Sequence, residues 1–434
     1  MRFVSTRDAT RKVPLSEAIR AGIAPDGGLY VPERMPHLEP ADFEGARTLP
    51  EVAERWIAPF CEGDPLAPRL GEVVRDAFSF PAPLRRIAAE PLPVSVLELF
   101  HGPTAAFKDF GARFLAACLE RQPHDPSRPV TILVATSGDT GGAVAAAFHG
   151  RPWARVVVLY PKGLVSPRQE KQLTCWGGNV RALSVRGTFD DCQRLVKEAF
   201  ADASLRARFD LSSANSINIG RLLPQAAYYA AASLTRWRAD GSAPAFVVPS
   251  GNLGNVLACL WARTAGLPIS TIELAHNANR TVPDFLVSGE WLPRPSVATL
   301  ASAMDVGNPS NMERLRHLHP DWRELARTVR AHSVTDEEIR VAIRRDFGEW
   351  GETWCPHTAT AAHVYRNLPV ELRAARHWVL VATAHPAKFE SVVEPLIGRP
   401  VEIPKALAEL LDRPSQATEI GASLDGLRGA LLSD

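Results

Sequence analysis

Lysine is scarce in this chain of 434 residues: of 49 basic residues only seven, at positions 12, 108, 162, 171, 197, 388 and 405, are lysine, and the other 42 are arginine. A guanidinium neither loses its proton nor condenses with an aldehyde, whereas a primary amine does both. Where charge alone is wanted the chain uses arginine, so each lysine is a candidate for chemistry. Cysteine is also sparse. The six (61, 118, 175, 192, 259 and 355) are widely spaced without a Cys-x-x-Cys pair, which argues against a disulfide framework or a zinc site. The formal net charge of +1 recruits neither nucleic acid nor an anionic membrane. No apolar run approaches the roughly 20 residues of a membrane span, and the first residues lack a signal-peptide core. A cytoplasmic protein is expected. Neither Gly-x-Gly-x-x-Gly nor a Walker A sequence occurs, which counts against nucleotide binding. The histidines, His357 and His363 among them, lack metal-ligand spacing and are read as structural, so no metal is expected.

What the chain does contain is a soluble, globular composition, 46% hydrophobic and 22% charged, long enough for two or three domains. Its densest stretch runs from Leu99 to Phe114 and holds Lys108. Gly102-Pro103 followed by Thr104 reads as a turn into a helix start, with the threonine hydroxyl accepting from a free amide. Lys108 then lies early in a helix among Phe107, Phe110 and Phe114, where desolvation lowers an amine's pKa. It is either a nucleophile or a lysine snorkelling past phenylalanines.

From Val130 onward apolar strands and helical patterns alternate. Strands are expected at 130–135, 156–160, 180–185, 245–248, 269–274 and 378–382, and helices at 143–148, 166–176, 188–200, 220–236, 311–331 and 335–347. Such alternation implies an α/β fold with a parallel sheet covered on both faces. Three domains are expected: an N-terminal cap over 1–95, a smaller α/β unit over 96–215 and a larger one over 216–434.

Three polar turns follow three of these strands. Ser250-Gly251-Asn252-Leu253-Gly254-Asn255 opens a helix with two glycines, which suits a phosphate cradle or an ordinary strand-to-helix turn. Thr136-Ser137-Gly138-Asp139-Thr140 has hydroxyls and amides for a carboxylate, with Asp139 either a ligand or a helix cap. Thr383-Ala384-His385-Pro386-Ala387-Lys388 is the third. Asn215, Ser216 and Asn218 with Arg221, and Arg168 with Lys171, would suit a second anion such as a substrate phosphate. Ligands in open α/β sheets bind beyond the carboxyl ends of strands, so these turns can share one pocket.

Taken together, Phe100–Gly111, Ala135–Gly141, Ser213–Asn218, Pro249–Gly254, Ala303–Asn311 and Ala382–Phe389 resemble the threonine synthases, pyridoxal-phosphate enzymes of the tryptophan-synthase β-like fold (fold type II). The N-terminal Phe3–Arg7 and Pro25–Pro32 are similar to that family's opening. The resemblance implies parallel sheets flanked by helices plus an N-terminal cap subdomain, and pyridoxal 5′-phosphate held by Lys108 through a Schiff base. It further implies that Gly251, Asn252, Leu253, Gly254 and Asn255 bind the cofactor phosphate, that Thr383 faces the pyridine nitrogen, and that Asp139 lies on the 3′-oxygen side. Thr136, Ser137 and Thr140 would hold the amino-acid carboxylate, with Arg168, Lys171, Asn215, Ser216 and Asn218 as candidates for the substrate phosphate. The implied reaction turns O-phospho-L-homoserine and water into L-threonine and phosphate, in a monomer rather than a dimer. Two positions depart from the family pattern: Asn255, where aspartate is expected, and Gly220, where a larger residue is. Rival readings are a dehydratase or lyase on the same scaffold, and a non-catalytic binding protein.

Overall fold

Strands β5 (Val130–Ala135), β6 (Ala154–Pro161), β7 (Val180–Arg186), β9 (Ala245–Pro249), β10 (Ile272–His276) and β12 (Trp378–Ala382) are nearly unbroken runs of buried side chains. Runs of this kind belong to strands buried on both faces rather than to a half-solvated sheet. The computed structural model describes residues 1–87, 94–125 and 127–433. The remaining described strands are β1 (Phe3–Ser5), β2 (Tyr30–Pro32), β3 (Leu84–Ile87), β4 (Val94–Glu98), β8 (Asp210–Ser213), β11 (Val329–Ser333) and β13 (Thr418–Gly421).

Among the described residues one sheet runs β11-β10-β9-β12-β4-β3 and a second runs β13-β7-β6-β5-β8. All pairs in them are parallel except β3 with β4. Beside them β1 and β2 form an antiparallel pair. Sheet membership cuts across the expected boundaries. β3 and the start of β4 fall within 1–95 yet belong to the six-stranded sheet, and β13 falls within 216–434 yet pairs with β7.

The N-terminal helices α1 (Leu15–Ala21), α2 (Leu49–Ile57) and α3 (Leu70–Ala77) pack on the rest of the chain instead of closing a core of their own. α3 lies against α4 (Lys108–Glu120), and α2 against the helix Ala226–Asp240. Trp56, fully buried, donates its indole N–H to the Leu223 carbonyl at 3.0 Å. Phe3, Trp56 and Phe60 belong to the same buried cluster as Phe110, Ile132 and Tyr228. A buried aromatic of this size contributes on the order of 2–3 kcal/mol, so the cap and the helix that opens at Lys108 share one hydrophobic core.

The helix pattern expected over 311–331 divides into Met312–Leu318 and Trp322–Thr328, interrupted at Pro320, and its end becomes β11. Proline removes an amide donor and clashes with the preceding turn, which stops the first helix. At Gly220, where a larger residue is expected, a Cβ would sit 3.2 Å from side-chain atoms of both Ile19 and Leu115, so a larger residue fits only if these two side chains give way slightly.

Candidate active site

Two sheets present the carboxyl ends of β5, β9 and β12 to one another, and the turns leaving them line a single pocket. Lys108 and Phe107 lie in its wall with Thr136, Ser137, Asp139 and Thr140 from the first turn, Ser250–Asn255 from the second and Thr383 from the third. Asn215, Ser216, Arg221 and His357 complete it.

The turn before Lys108 is built differently from the sequence expectation. Thr104 does not cap the helix; its amide and hydroxyl donate to the buried carboxylate of Asp109, at 2.9 and 2.6 Å. Ala105 is held at φ +54°, its carbonyl accepting from the His385 amide at 3.0 Å, and the Phe107 amide donates to the Thr383 carbonyl at 2.8 Å. Lys108 is thereby fixed to the end of β12. Leu253, at φ +63°, leads into the helix Gly254–Thr264. These are the two non-glycine residues with positive φ among the described residues; Leu253 lines the pocket, and Ala105 lies two residues before Phe107 in its wall. A left-handed conformation costs such a residue about 1–2 kcal/mol, a strain that fits a functional loop.

The turn from β5 into α5 (Asp139–Phe148) needs its glycine. Gly138 stands at φ +137°, and a Cβ there would lie 2.6 Å from the Gln169 amide. The Thr136 hydroxyl accepts from the Gly138 and Gly141 amides, both at 2.9 Å, so it shapes the turn. The Ser137 and Thr140 hydroxyls carry no hydrogen bond within the described chain and border the pocket. After β9, Asn252 donates to Ser216 Oγ at 2.7 Å and accepts from the Ser310 amide at 2.6 Å. Asn255 Oδ1 accepts from the hydroxyls of Tyr228 and Tyr229, at 2.6 and 2.8 Å.

Burial lowers the Lys108 amine to about 8; Asp139 opposes the shift, while Arg221 and Lys388 reinforce it. Asp139 is itself buried, yet Lys388 first and Lys108 second hold it below the usual carboxylate range. Burial takes His357 down to about 4, leaving a neutral imidazole beside the pocket. Lys108 makes no hydrogen bond within the described chain, so its amine is free to react.

Three expected anion ligands do not reach the pocket. Arg168 donates to the Ala387 carbonyl at 2.5 Å and lies 3.6 Å from Glu390, so its charge is spent on a structural strap. Lys171 donates to the Arg413 carbonyl. Asn218, fully buried, caps the helix Ile219–Leu222 through Gly220 N and donates to the Ile19 and Ser213 carbonyls. His357 corrects the expectation in the other direction: it lines the pocket, its Nε2 accepting from the Ala303 amide at 3.0 Å. No spacing in the sequence signals it. Lys388, for which the scarcity of lysine is the available signal, is fully buried with its Nζ 2.8 Å from Asp139.

The chain matches the family models described as threonine synthase N terminus over residues 2–78, pyridoxal-phosphate dependent enzyme over 81–384, and threonine synthase, C-terminal, over 358–430. The threonine synthases of Escherichia coli and Haemophilus influenzae are 39% and 40% identical to it, each over the full length of both chains. The chain belongs to the threonine synthase family. The crystal structure of the Escherichia coli threonine synthase superposes with a TM-score of 0.90 at 38% identity, over 100% of this chain and 99% of that one. That of the PLP-bound threonine synthase from Brucella melitensis gives 0.89 at 34%, over 99% and 98%.

As in the rest of this family, the cofactor is pyridoxal 5′-phosphate, and the pocket of this threonine synthase family member fits it. Asn255 Nδ2, Arg221 Nε and His357 Nδ1 are buried polar atoms without a partner among the described residues, and all three residues line the pocket. Buried donors left open are costly unless a ligand takes them up. Gly251 fits closely against the Met304 backbone, which brings the loop's amides up to the cavity at the start of a helix, where an anion is favoured.

Proposed function

We propose that this pocket converts O-phospho-L-homoserine and water to L-threonine and phosphate, with Lys108 as the amine that holds the cofactor and carries the protons. The observation that supports this reading is the convergence of an unpaired, partly desolvated amine with three strand-end turns in one cavity. When bound, pyridoxal phosphate supplies an electron sink for the charge left on the substrate α-carbon. The loop Gly251–Asn255 would hold its phosphate, and Thr383 would offer a hydroxyl to the ring nitrogen. A hydroxyl, unlike a carboxylate, does not hold that nitrogen protonated, which limits the charge the ring takes up. Asp139 would lie on the ring's 3′-oxygen side.

Once the substrate amine has taken its place, Lys108 is freed close to the α-carbon. Its pKa near 8 keeps a useful neutral fraction at physiological pH, so it can remove the α-proton and then move a proton at the β-carbon. Phosphate then leaves from the γ-carbon. Water adds its hydroxyl at the β-carbon; the protons taken from the α- and β-carbons and the one released by water go to the γ-carbon, back to the α-carbon and to the departing phosphate, which balances the reaction. The free hydroxyls of Ser137 and Thr140 would seat the substrate carboxylate, on the turn that the Thr136 hydroxyl shapes by accepting from two amides and donating to the Gly138 carbonyl. Asn215 and Ser216 remain the candidates for the departing phosphate, joined by Arg221 in the same wall.

No helix among the described residues is long and apolar enough to cross a membrane. We place this biosynthetic reaction, acting on a small molecule, in the cytoplasm and in a monomer. The purified protein with O-phospho-L-homoserine should release phosphate and L-threonine in equal amounts. Release of a 2-oxo acid and ammonia in place of threonine would convert the reading to a dehydratase or a phosphoamino-acid lyase.

A further inference from the structure

We propose that Lys388 is a positioning residue of this site: its buried ammonium is the resident counter-ion of Asp139, and by occupying that carboxylate it leaves Lys108 free to give up its proton. The inference rests on the reading of Lys108 as the reactive amine.

Lys388 is gripped at both ends. Its backbone carbonyl accepts from Ser166 Oγ at 3.1 Å, while Arg168 holds the preceding carbonyl of Ala387. Its Nζ reaches Asp139 Oδ1 at 2.8 Å and the Thr104 carbonyl at 2.7 Å. The same Asp139 oxygen accepts from Gln169 Nε2 at 2.9 Å, and the same Thr104 carbonyl from Gln172 Nε2 at 3.0 Å. Helix α6 (Pro167–Thr174), which supplies both glutamines, thus ties the β5 turn, the turn before Lys108 and the segment after β12 into one buried unit. None of the partners is free to swing away.

The charged and titratable groups facing Lys108 are Asp139, Arg221, Lys388 and the neutral His357. Asp139 is the one anion among them. A buried carboxylate seeks a cation, and with Lys388 removed the remaining nearby amine is Lys108. Pairing with Asp139 would then keep the proton on Lys108, and on the nitrogen it contributes to the bound cofactor.

The test uses two variants. Lys388→Met removes the charge and the donor; Lys388→Gln keeps a donor for Asp139 and Thr104 without the charge. The full-length chain, freed of cofactor and confirmed folded by circular dichroism, is trace-labelled with acetic anhydride across pH, and acetylation at Lys108 is followed by mass spectrometry. The wild-type midpoint is expected near 8. Both variants should move it upward by about one unit or more, and Lys388→Arg should restore it. The visible absorbance of the holoenzymes should shift in the same direction with pH. An unchanged midpoint in either folded uncharged variant overturns the proposal, as does an upward shift in Lys388→Arg. The reading of Lys108 itself is decided separately, by whether borohydride fixes the cofactor to that residue in the wild type.

Discussion

Lys108→Ala is expected to lose threonine formation by on the order of 10⁴-fold or more, because one residue supplies both the covalent anchor and the proton transfers. The variant should still fold. The Lys108 amine has no hydrogen bond within the described chain, and its removal takes a desolvated amine out of the pocket wall, so no side chain is left unpaired. Thermal unfolding of the cofactor-free proteins should therefore differ by no more than a few degrees. Phosphate release from phosphohomoserine at the wild-type rate would remove Lys108 from the mechanism.

Gly251→Val should have the second largest effect, and on a different quantity. A Cβ at this position meets the Met304 Cα at 2.6 Å and its carbonyl carbon at 3.2 Å. These are backbone atoms and cannot rotate away, so the loop itself must retreat. Its amides then leave the cofactor phosphate. Hydrogen bonds to a charged group contribute roughly 1.5–3 kcal/mol each, and losing two of them weakens cofactor binding by roughly 10²–10⁴-fold. Equilibrium titration with pyridoxal phosphate measures the change. A variant that binds the cofactor as tightly as the wild type would show that this loop does not hold the phosphate.

The strands that the sequence reveals are the interior ones, and the reason is burial. β5, β6, β7, β9, β10 and β12 are covered on both faces and read as apolar runs. The strands that escape a reading of the sequence include the edges of both large sheets, β3, β8, β11 and β13. Leu84-Arg85-Arg86-Ile87 and Thr418-Glu419-Ile420-Gly421 are short and partly exposed, so they carry no such run. Charged, short edges also discourage pairing with other chains. β4 is an interior strand that escapes as well, because Ser95 and Glu98 break up its apolar run.

In the site, the three turns are legible as a group: each places polar residues directly after a buried apolar strand, and the fold brings them to one pocket. Arg168 misleads because a sequence shows a charge but not its partner: the guanidinium is taken up by a carbonyl and a carboxylate on the segment after β12. Asn218 misleads for a similar reason, its amide being consumed by backbone groups around the helix it caps. Lys388 and Asp139 lie far apart along the chain, and only the fold brings them to 2.8 Å.

Borohydride reduction of the yellow holoenzyme, followed by peptide mapping, tests the central claim most directly. The cofactor should be found covalently attached to a single peptide, on Lys108. Attachment to Lys388 or any other lysine, or a reduced protein that carries no cofactor at all, would contradict the account.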